Sequence, residues 1–96
     1  MGEWEANELL LFVENDGTLY ETMTRPYQKK LVVRKKNGTY SKLQAHRGFM
    51  HIARAGTQKY RSDIDARQRF SIADMRKVAD RMLEFFEDEY SLGNMN

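Results

Sequence analysis

The sequence predicts a mainly α-helical fold, a small bundle of three to four helices. Two long apolar stripes recur at the spacing that places side chains on one face of a helix, and each is preceded by a capping residue. The length points to one core, because a chain of 96 residues buries only about two thirds of its unfolded surface. We therefore expect a single small domain over residues 1–96, with fraying at residues 1–5 and 92–96.

The first helix is predicted from an apolar run that does not alternate as a strand would. Leu9 to Val13 are all apolar, and Asn7 is placed to cap a helix that starts at Glu8. Pro26 suits the first turn of a second helix, which would end near Asn37-Gly38. We expect a kink or a loop between these two helices.

Two dipeptides in the same region favour a different structure. Asp16-Gly17 and Asn37-Gly38 are strong hairpin signals, and Leu31-Val32-Val33 prefers strands. An α+β fold with an N-terminal hairpin is therefore the alternative for residues 8–37.

The second half of the chain is more regular. A helix is predicted from about residue 41 to 61 on a stripe with Ser41 or Thr39 as its cap; the stripe consists of Ala45, Phe49, Ile52, Ala53, Gly56 and Tyr60. Gly56 disfavours a helix interior, so it marks either a close helix contact or an early end. A last helix is predicted from about 72 to 90, with Ser71 and Asp74 as a capping pair and Gly93 beyond its end.

The charges are strongly segregated along the chain. Residues 25–61 carry eleven Lys or Arg side chains and no Asp or Glu, whereas residues 1–24 carry six carboxylates and no Lys or Arg. A block of cations without internal counterions is costly unless a polyanion or an acidic surface neutralises it. The pattern therefore predicts a binding surface in the middle third of the chain.

Short motifs along nearly the whole chain resemble a family of small uncharacterised bacteriophage and mobile-element proteins. They are Asn7-Glu8-Leu9, Glu14-Asn15-Asp16-Gly17, Leu19-Tyr20, Pro26, Gly38-Thr39-Tyr40, Ala45, Phe49-Met50, Tyr60, Phe70, Arg76 and Ala79. The stretch from Gln28 to Lys36 is more basic and more β-branched than that family. The resemblance implies an accessory gene product without catalytic residues, of a class that binds nucleic acid or a host protein.

The leading prediction is a non-enzymatic accessory protein that binds nucleic acid or a nucleoprotein through a basic face. The expected contacts with phosphates or carboxylates are Lys29, Lys30, Arg34, Lys35, Lys36, Arg47 and Arg54. Tyr27, Tyr40 and Tyr60 are interleaved with these cations, where they could stack on bases or belong to the core. The alternative is a protein-protein inhibitor of a host enzyme or defence complex, similar in role to an anti-CRISPR protein, which would use this face or the acidic end of the last helix. Internal pairing of the cations with the chain's own carboxylates also remains open.

The residues offer little support for catalysis. His46 and His51 are five positions apart and would diverge on a helix, and Asp63 and Asp65 have no phosphate-binding glycine loop beside them. We expect no catalytic residue, no metal and no other cofactor. We also expect a cytoplasmic protein of the host cell with no membrane partner, because the apolar run Leu9 to Val13 is too short to span a bilayer. Trp4 and residues 9–12 are expected in the core or in a homodimer contact.

Overall fold

Four helices of twelve residues or more make up most of the chain in the computed structural model, which describes residues 2–90. In chain order the elements are α1 (Gly2–Asn15), the single turn α2 (Gly17–Leu19), a π-helical segment (Tyr20–Thr24), α3 (Arg25–Lys36), α4 (Lys42–Asp63) and α5 (Ile72–Glu89). No strand occurs within residues 2–90. The prediction of a small all-α bundle is confirmed, and the hairpin alternative is wrong.

The core lies between α1, α4 and α5. Helix α4 packs against α5 and α1, and α1 also packs against α5. The largest fully buried side chains are Leu9, Val13, Leu31, Phe49, Val78 and Phe86. Among residues 2–90 no helix is both long and apolar enough to cross a membrane.

The N-terminal apolar residues only partly enter this core. Leu9 is fully buried, but Leu11 is 55% exposed and Trp4 is 58% exposed. Of the two places expected for these residues, the core is wrong for Trp4 and Leu11, and a homodimer contact through these two stays a prediction.

Helix α1 begins upstream of its predicted start. Asn7 is an exposed residue inside the helix, so its predicted role as the cap is wrong. The buried stripe starts one turn earlier than predicted, because Ala6 is buried as well. Ala6, Leu9 and Val13 follow the i, i+3 and i+7 spacing of one helix face. Glu3 and Glu5 lie in the first turn, where their carboxylates interact favourably with the positive end of the helix dipole. Residues 2–5 are thus helical, whereas residues 92–96 and the predicted cap Gly93 lie outside the described residues.

Asp16-Gly17 joins two helices instead of turning a hairpin. Asp16 has an extended backbone and caps α2, with its Oδ1 accepting the Leu19 N–H at 2.8 Å. The pKa of Asp16 is lowered chiefly by that backbone donor, and Lys59, whose Nζ lies 3.4 Å from Oδ2, adds to the effect. The same chemistry that suits a turn therefore starts a helix here.

Asn37-Gly38 ends α3. Gly38 has φ +74°, a left-handed conformation that glycine adopts without steric cost. The Thr39 N–H donates to the Arg34 carbonyl at 2.9 Å and the Gly38 N–H to the Lys35 carbonyl at 3.2 Å, which is the Schellman pattern of a helix C-terminus. The predicted end of the second helix is confirmed.

Between α2 and α3 the chain forms one turn of π-helix, so the break expected between the first two helices lies at the extended Asp16. The Arg25 N–H donates to the Tyr20 carbonyl, five residues back. Pro26 follows directly, and its ring would crowd the carbonyl four residues back in a regular α-helix. A wider turn relieves that crowding and keeps residues 17–36 in one helical run.

The two C-terminal helices agree closely with the sequence pattern. Ser41 caps α4, with its Oγ accepting the Gln44 N–H at 3.3 Å. Ser71 and Asp74 form a complete capping box at the start of α5, with hydrogen bonds of 3.0 and 2.9 Å. Both helix predictions are confirmed.

Gly56 marks a close approach of α1 to α4. A Cβ atom at this position would lie 2.6 Å from Cγ2 of Val13, well inside van der Waals contact. Helix α4 continues to Asp63, so of the two roles considered for this glycine the close contact is confirmed.

This contact predicts the outcome of a double-mutant cycle. In the wild-type background Gly56→Ala should destabilise the fold by about 1–3 kcal/mol, because overpacking outweighs the gain in helix propensity. In a Val13→Ala background the same change should stabilise by up to about 1 kcal/mol, because the obstructing methyl group is gone. Urea unfolding of the four proteins measures both effects, and an equal cost in both backgrounds would contradict the contact.

The lowered pKa of Asp16 predicts a pH-dependent contribution to stability. Its charged form is favoured by folding, so the contribution is present above the ordinary value of 3.8 and is lost as pH falls through the lower folded pKa. Asp16→Asn keeps a capping oxygen without the charge. The mutant should be less stable than wild type at pH 7, and this difference should shrink on acidification; a pH-independent difference would count against the assignment.

Candidate nucleic-acid interface

Helix α3 carries most of the basic block and is anchored by few side chains. Leu31 is fully buried in the core. Tyr27 lies across Gly48 of α4, where an added Cβ atom would come within 2.0 Å of the tyrosine ring. Its hydroxyl donates to the Gln44 carbonyl at 3.0 Å, and its ring meets Phe49 edge-on with centroids 5.3 Å apart. This close packing leaves the rest of α3 free to carry charge.

The burial of Tyr27 also affects its ionisation. Burial raises the pKa of the Tyr27 hydroxyl, and the nearby Arg34 charge partly opposes that shift. Arg34 is half-buried, whereas the neighbouring cations Lys29, Lys30 and Lys36 are exposed. Tyr27 therefore remains a neutral hydrogen-bond donor that holds α3 on α4.

The cations of α3 occupy two sides of the helix. Lys29 and Lys36 are seven positions apart and share one side. Lys30 lies on the other side, where it lines a groove of about 340 Å³ with His51 of α4 and the apolar residues Met23, Pro26 and Ile52. The predicted residues on α3 therefore form a broad surface instead of one row.

Helix α4 contributes a single row of cations. Arg47 and Arg54 are both exposed and, like Arg61, follow at intervals of seven on the face opposite the buried stripe. His51 is also exposed and lies between Arg47 and Arg54 on this side. We call the exposed Lys29, Lys30, Lys36, Arg47 and Arg54, together with the half-buried Arg34, the basic face.

The basic face is not neutralised by the described part of the protein. Three other cations of the block do form ion pairs: Arg25 with Glu21 at 3.6 Å, Lys42 with Glu87 at 3.4 Å, and Lys59 with both Asp16 and Asp63. No member of the basic face pairs with a carboxylate of residues 2–90. Internal pairing thus accounts for only part of the block.

Lys35 differs from the other predicted contacts. Its Nζ lies 4.3 Å from the centroid of the Tyr40 ring and 5.7 Å from that of the buried Phe86. A lysine above aromatic faces is attracted by their negative π surfaces. The Lys35 side chain therefore contacts the rings of Tyr40 and Phe86, and we do not count it as part of the basic face.

The tyrosines of the basic block are also used inside the protein. Tyr40 donates to Glu87 at 2.8 Å and Tyr60 donates to Glu8 at 3.1 Å. The pKa of both hydroxyls is raised, chiefly by burial and then by the carboxylate that accepts the hydrogen bond. Tyr27 packs on Gly48, so all three tyrosines make contacts that stabilise the fold.

Of the four titratable residues considered for catalysis, three have structural contacts and His51 is exposed; the three are His46, Asp63 and Asp65. His46 Nε2 lies 2.7 Å from Asp80 Oδ1, which links α4 to α5. Asp65 Oδ1 accepts the Arg67 N–H at 2.9 Å in the α4–α5 loop. Within residues 2–90 no group of three or more His, Asp or Glu side chains is arranged to hold a metal ion.

Sequence reasoning missed one exposed aromatic residue beside the cations. Tyr20 is 37% exposed and lines a groove with Arg25 and Lys29. The proximity arises because the π-helical turn continues into α3, which no simple residue spacing reveals. Comparison with protein-family models, curated proteins and solved structures gives no match for this chain.

The contrast between Lys35 and Lys36 can be tested with matched substitutions. Lys35→Gln should destabilise the fold by about 0.5–1 kcal/mol, because it removes the cation above Tyr40 and Phe86. Lys36→Gln should leave stability within about 0.5 kcal/mol, because an exposed position without a partner in the described residues tolerates substitution. Chemical unfolding of both variants measures the difference, and equal stabilities would contradict it.

Proposed function

We propose that this protein binds nucleic acid, alone or within a nucleoprotein, by electrostatic attraction between its basic face and the phosphate backbone. The observation that carries the proposal is that Lys29, Lys30, Lys36, Arg47 and Arg54 are exposed and unpaired with any carboxylate of residues 2–90. The two helices meet where Tyr27 of α3 packs on Gly48 of α4, and Lys30 and His51 line the groove beside this contact.

The chemistry of this surface suits phosphates better than base edges. Lysine and arginine that neutralise phosphates release counterions, which gives affinity without sequence information. The sequence shows no convincing helix-turn-helix or zinc-finger signature that would direct side chains to base edges. The protein would act without catalysis, as an accessory factor of the phage type in the host cytosol.

A charge-neutralising variant tests the proposal. Changing Lys29, Lys30, Arg47 and Arg54 to Gln should weaken duplex binding at low salt and flatten the plot of log affinity against log salt by about 0.9 for each phosphate that is no longer neutralised. Fluorescence anisotropy at several salt concentrations measures both effects. Circular dichroism should show an unchanged helical signal, because all four side chains are exposed.

A matched control separates the basic face from net charge. Arg67, Arg69, Arg76 and Lys77 are four exposed cations outside the block that form no ion pair within residues 2–90, and their change to Gln alters the net charge equally. This control should retain most of the affinity. The proposal fails if the control loses as much affinity as the face variant, or if wild-type binding does not respond to salt.

One observation favours a second function, inhibition of a host enzyme or defence complex through protein contact. Near the end of α5, Phe85 is 41% exposed; Arg81 lies 5.5 Å from its ring and pairs with Glu84, while the carboxylates Asp88 and Glu89 are exposed and in no ion pair within residues 2–90. An exposed aromatic residue among carboxylates suits a basic protein partner. Capture of a host protein from lysate that persists after nuclease treatment and is abolished by Phe85→Ala would favour this function.

A further inference from the structure

A second groove lies beside the basic face and has a different character. It has a volume of about 530 Å³ and is formed by the π-helical segment, α3 and the end of α5. Its apolar wall consists of Val32, Val33 and the rings of Tyr20 and Tyr90, and its polar edge consists of Arg25, Gln28 and Lys29. Aromatic, amide and cationic groups are thus combined in one groove.

The core holds the Tyr90 part of the aromatic wall in place. The Tyr90 ring lies 4.9 Å from the Phe86 ring at an angle of 34°, and Phe86 is fully buried. The backbone of Tyr20 is fixed by the turn in which its carbonyl accepts the Arg25 N–H, and its ring is exposed. The packed Tyr90 ring loses little conformational entropy when a flat ligand stacks on it.

The polar edge suits one nucleotide. Lys29 is exposed and has no carboxylate partner within residues 2–90. Arg25 pairs with Glu21 at 3.6 Å, but both side chains are more than half exposed, so this pair contributes little and a phosphate can replace the carboxylate. The half-buried amide of Gln28 offers both a donor and an acceptor to a base edge.

Nearby carboxylates restrict the path of a phosphate chain. Asp88 and Glu89 are exposed and adjoin Tyr90 in α5. They would repel phosphates at that end of the groove. At the α3 end Lys29 and Arg25 attract phosphates, and Glu21 is held there only by the exposed ion pair with Arg25 that a phosphate can replace.

We propose that this groove accepts an unpaired base of a single-stranded nucleic acid, stacked on Tyr20 and Tyr90, with the adjoining phosphate at Lys29 and Arg25. The proposal rests on the nucleic-acid binding proposed above and specifies its substrate as single-stranded. A base within a duplex is covered on both faces by its neighbours and cannot enter such a groove, whereas exposed aromatic side chains stack readily on unpaired bases.

The test compares a single strand with a duplex of the same composition at one salt concentration. Tyr20→Ala should weaken binding of the single strand roughly fivefold to hundredfold, the effect of removing the stacking of one base, and should change duplex affinity by less than about twofold. Tyr20→Phe should retain wild-type affinity, because it keeps the ring. Leu43→Ala, which removes an exposed apolar side chain of α4 outside the groove, serves as the control and should have no effect.

A second readout does not depend on affinity. In a strand that contains 2-aminopurine, wild type should quench the base fluorescence on binding, whereas Tyr20→Ala should not. Equal effects of Tyr20→Ala on single strand and duplex, or quenching unchanged in the variant, would overturn the groove assignment while leaving salt-dependent binding to the basic face intact. Absence of binding to either nucleic acid at low salt would overturn both proposals.

Discussion

The close approach of α1 to α4 at Gly56 determines how the rest of the chain is arranged. Gly56 has no side chain, and Val13 of α1 occupies the space that a Cβ atom would take. Helix α1 can therefore pack closely on α4 and α5, and its Leu9 is buried in the core. Most of the buried apolar side chains thereby lie on these three helices. Helix α3 is left with one fully buried residue, Leu31, and with the contact of Tyr27 on Gly48. It can carry cations on two sides because the core requires little of it.

Features that are determined by neighbouring residues in the sequence were predictable, and features that depend on packing were not. The helices α4 and α5 were predictable because each has a long apolar stripe and a side-chain cap within a few residues. Asp16-Gly17 and Asn37-Gly38 were ambiguous, because an extended aspartate and a left-handed glycine serve helix ends as well as hairpins. Their roles depended on whether the flanking residues, such as Leu9 and Leu31, had a helical core to join.

In the candidate site, too, some properties follow from the sequence and others from packing. The number of cations and their segregation from carboxylates are properties of the sequence alone. Which cations remain unpaired depends on packing. Lys59 pairs with Asp16 because α2 begins beside α4. Lys35 contacts the Phe86 ring because α5 lies next to the end of α3. The interleaved tyrosines illustrate this most clearly, since Tyr40 and Tyr60 find carboxylate acceptors 47 and 52 residues away.

The unpaired cations also have an energetic consequence for the free protein. Like charges on adjoining helices repel one another, so the basic face reduces the stability of the compact state. A polyanion that neutralises this repulsion in the folded protein would stabilise the fold by mass action. An unfolded chain with the same cations would also bind a polyanion and lessen that gain. The net stabilisation therefore depends on how much better the arranged face binds than the same charges on a disordered chain, and the core contacts of Leu31 and Tyr27 supply that arrangement.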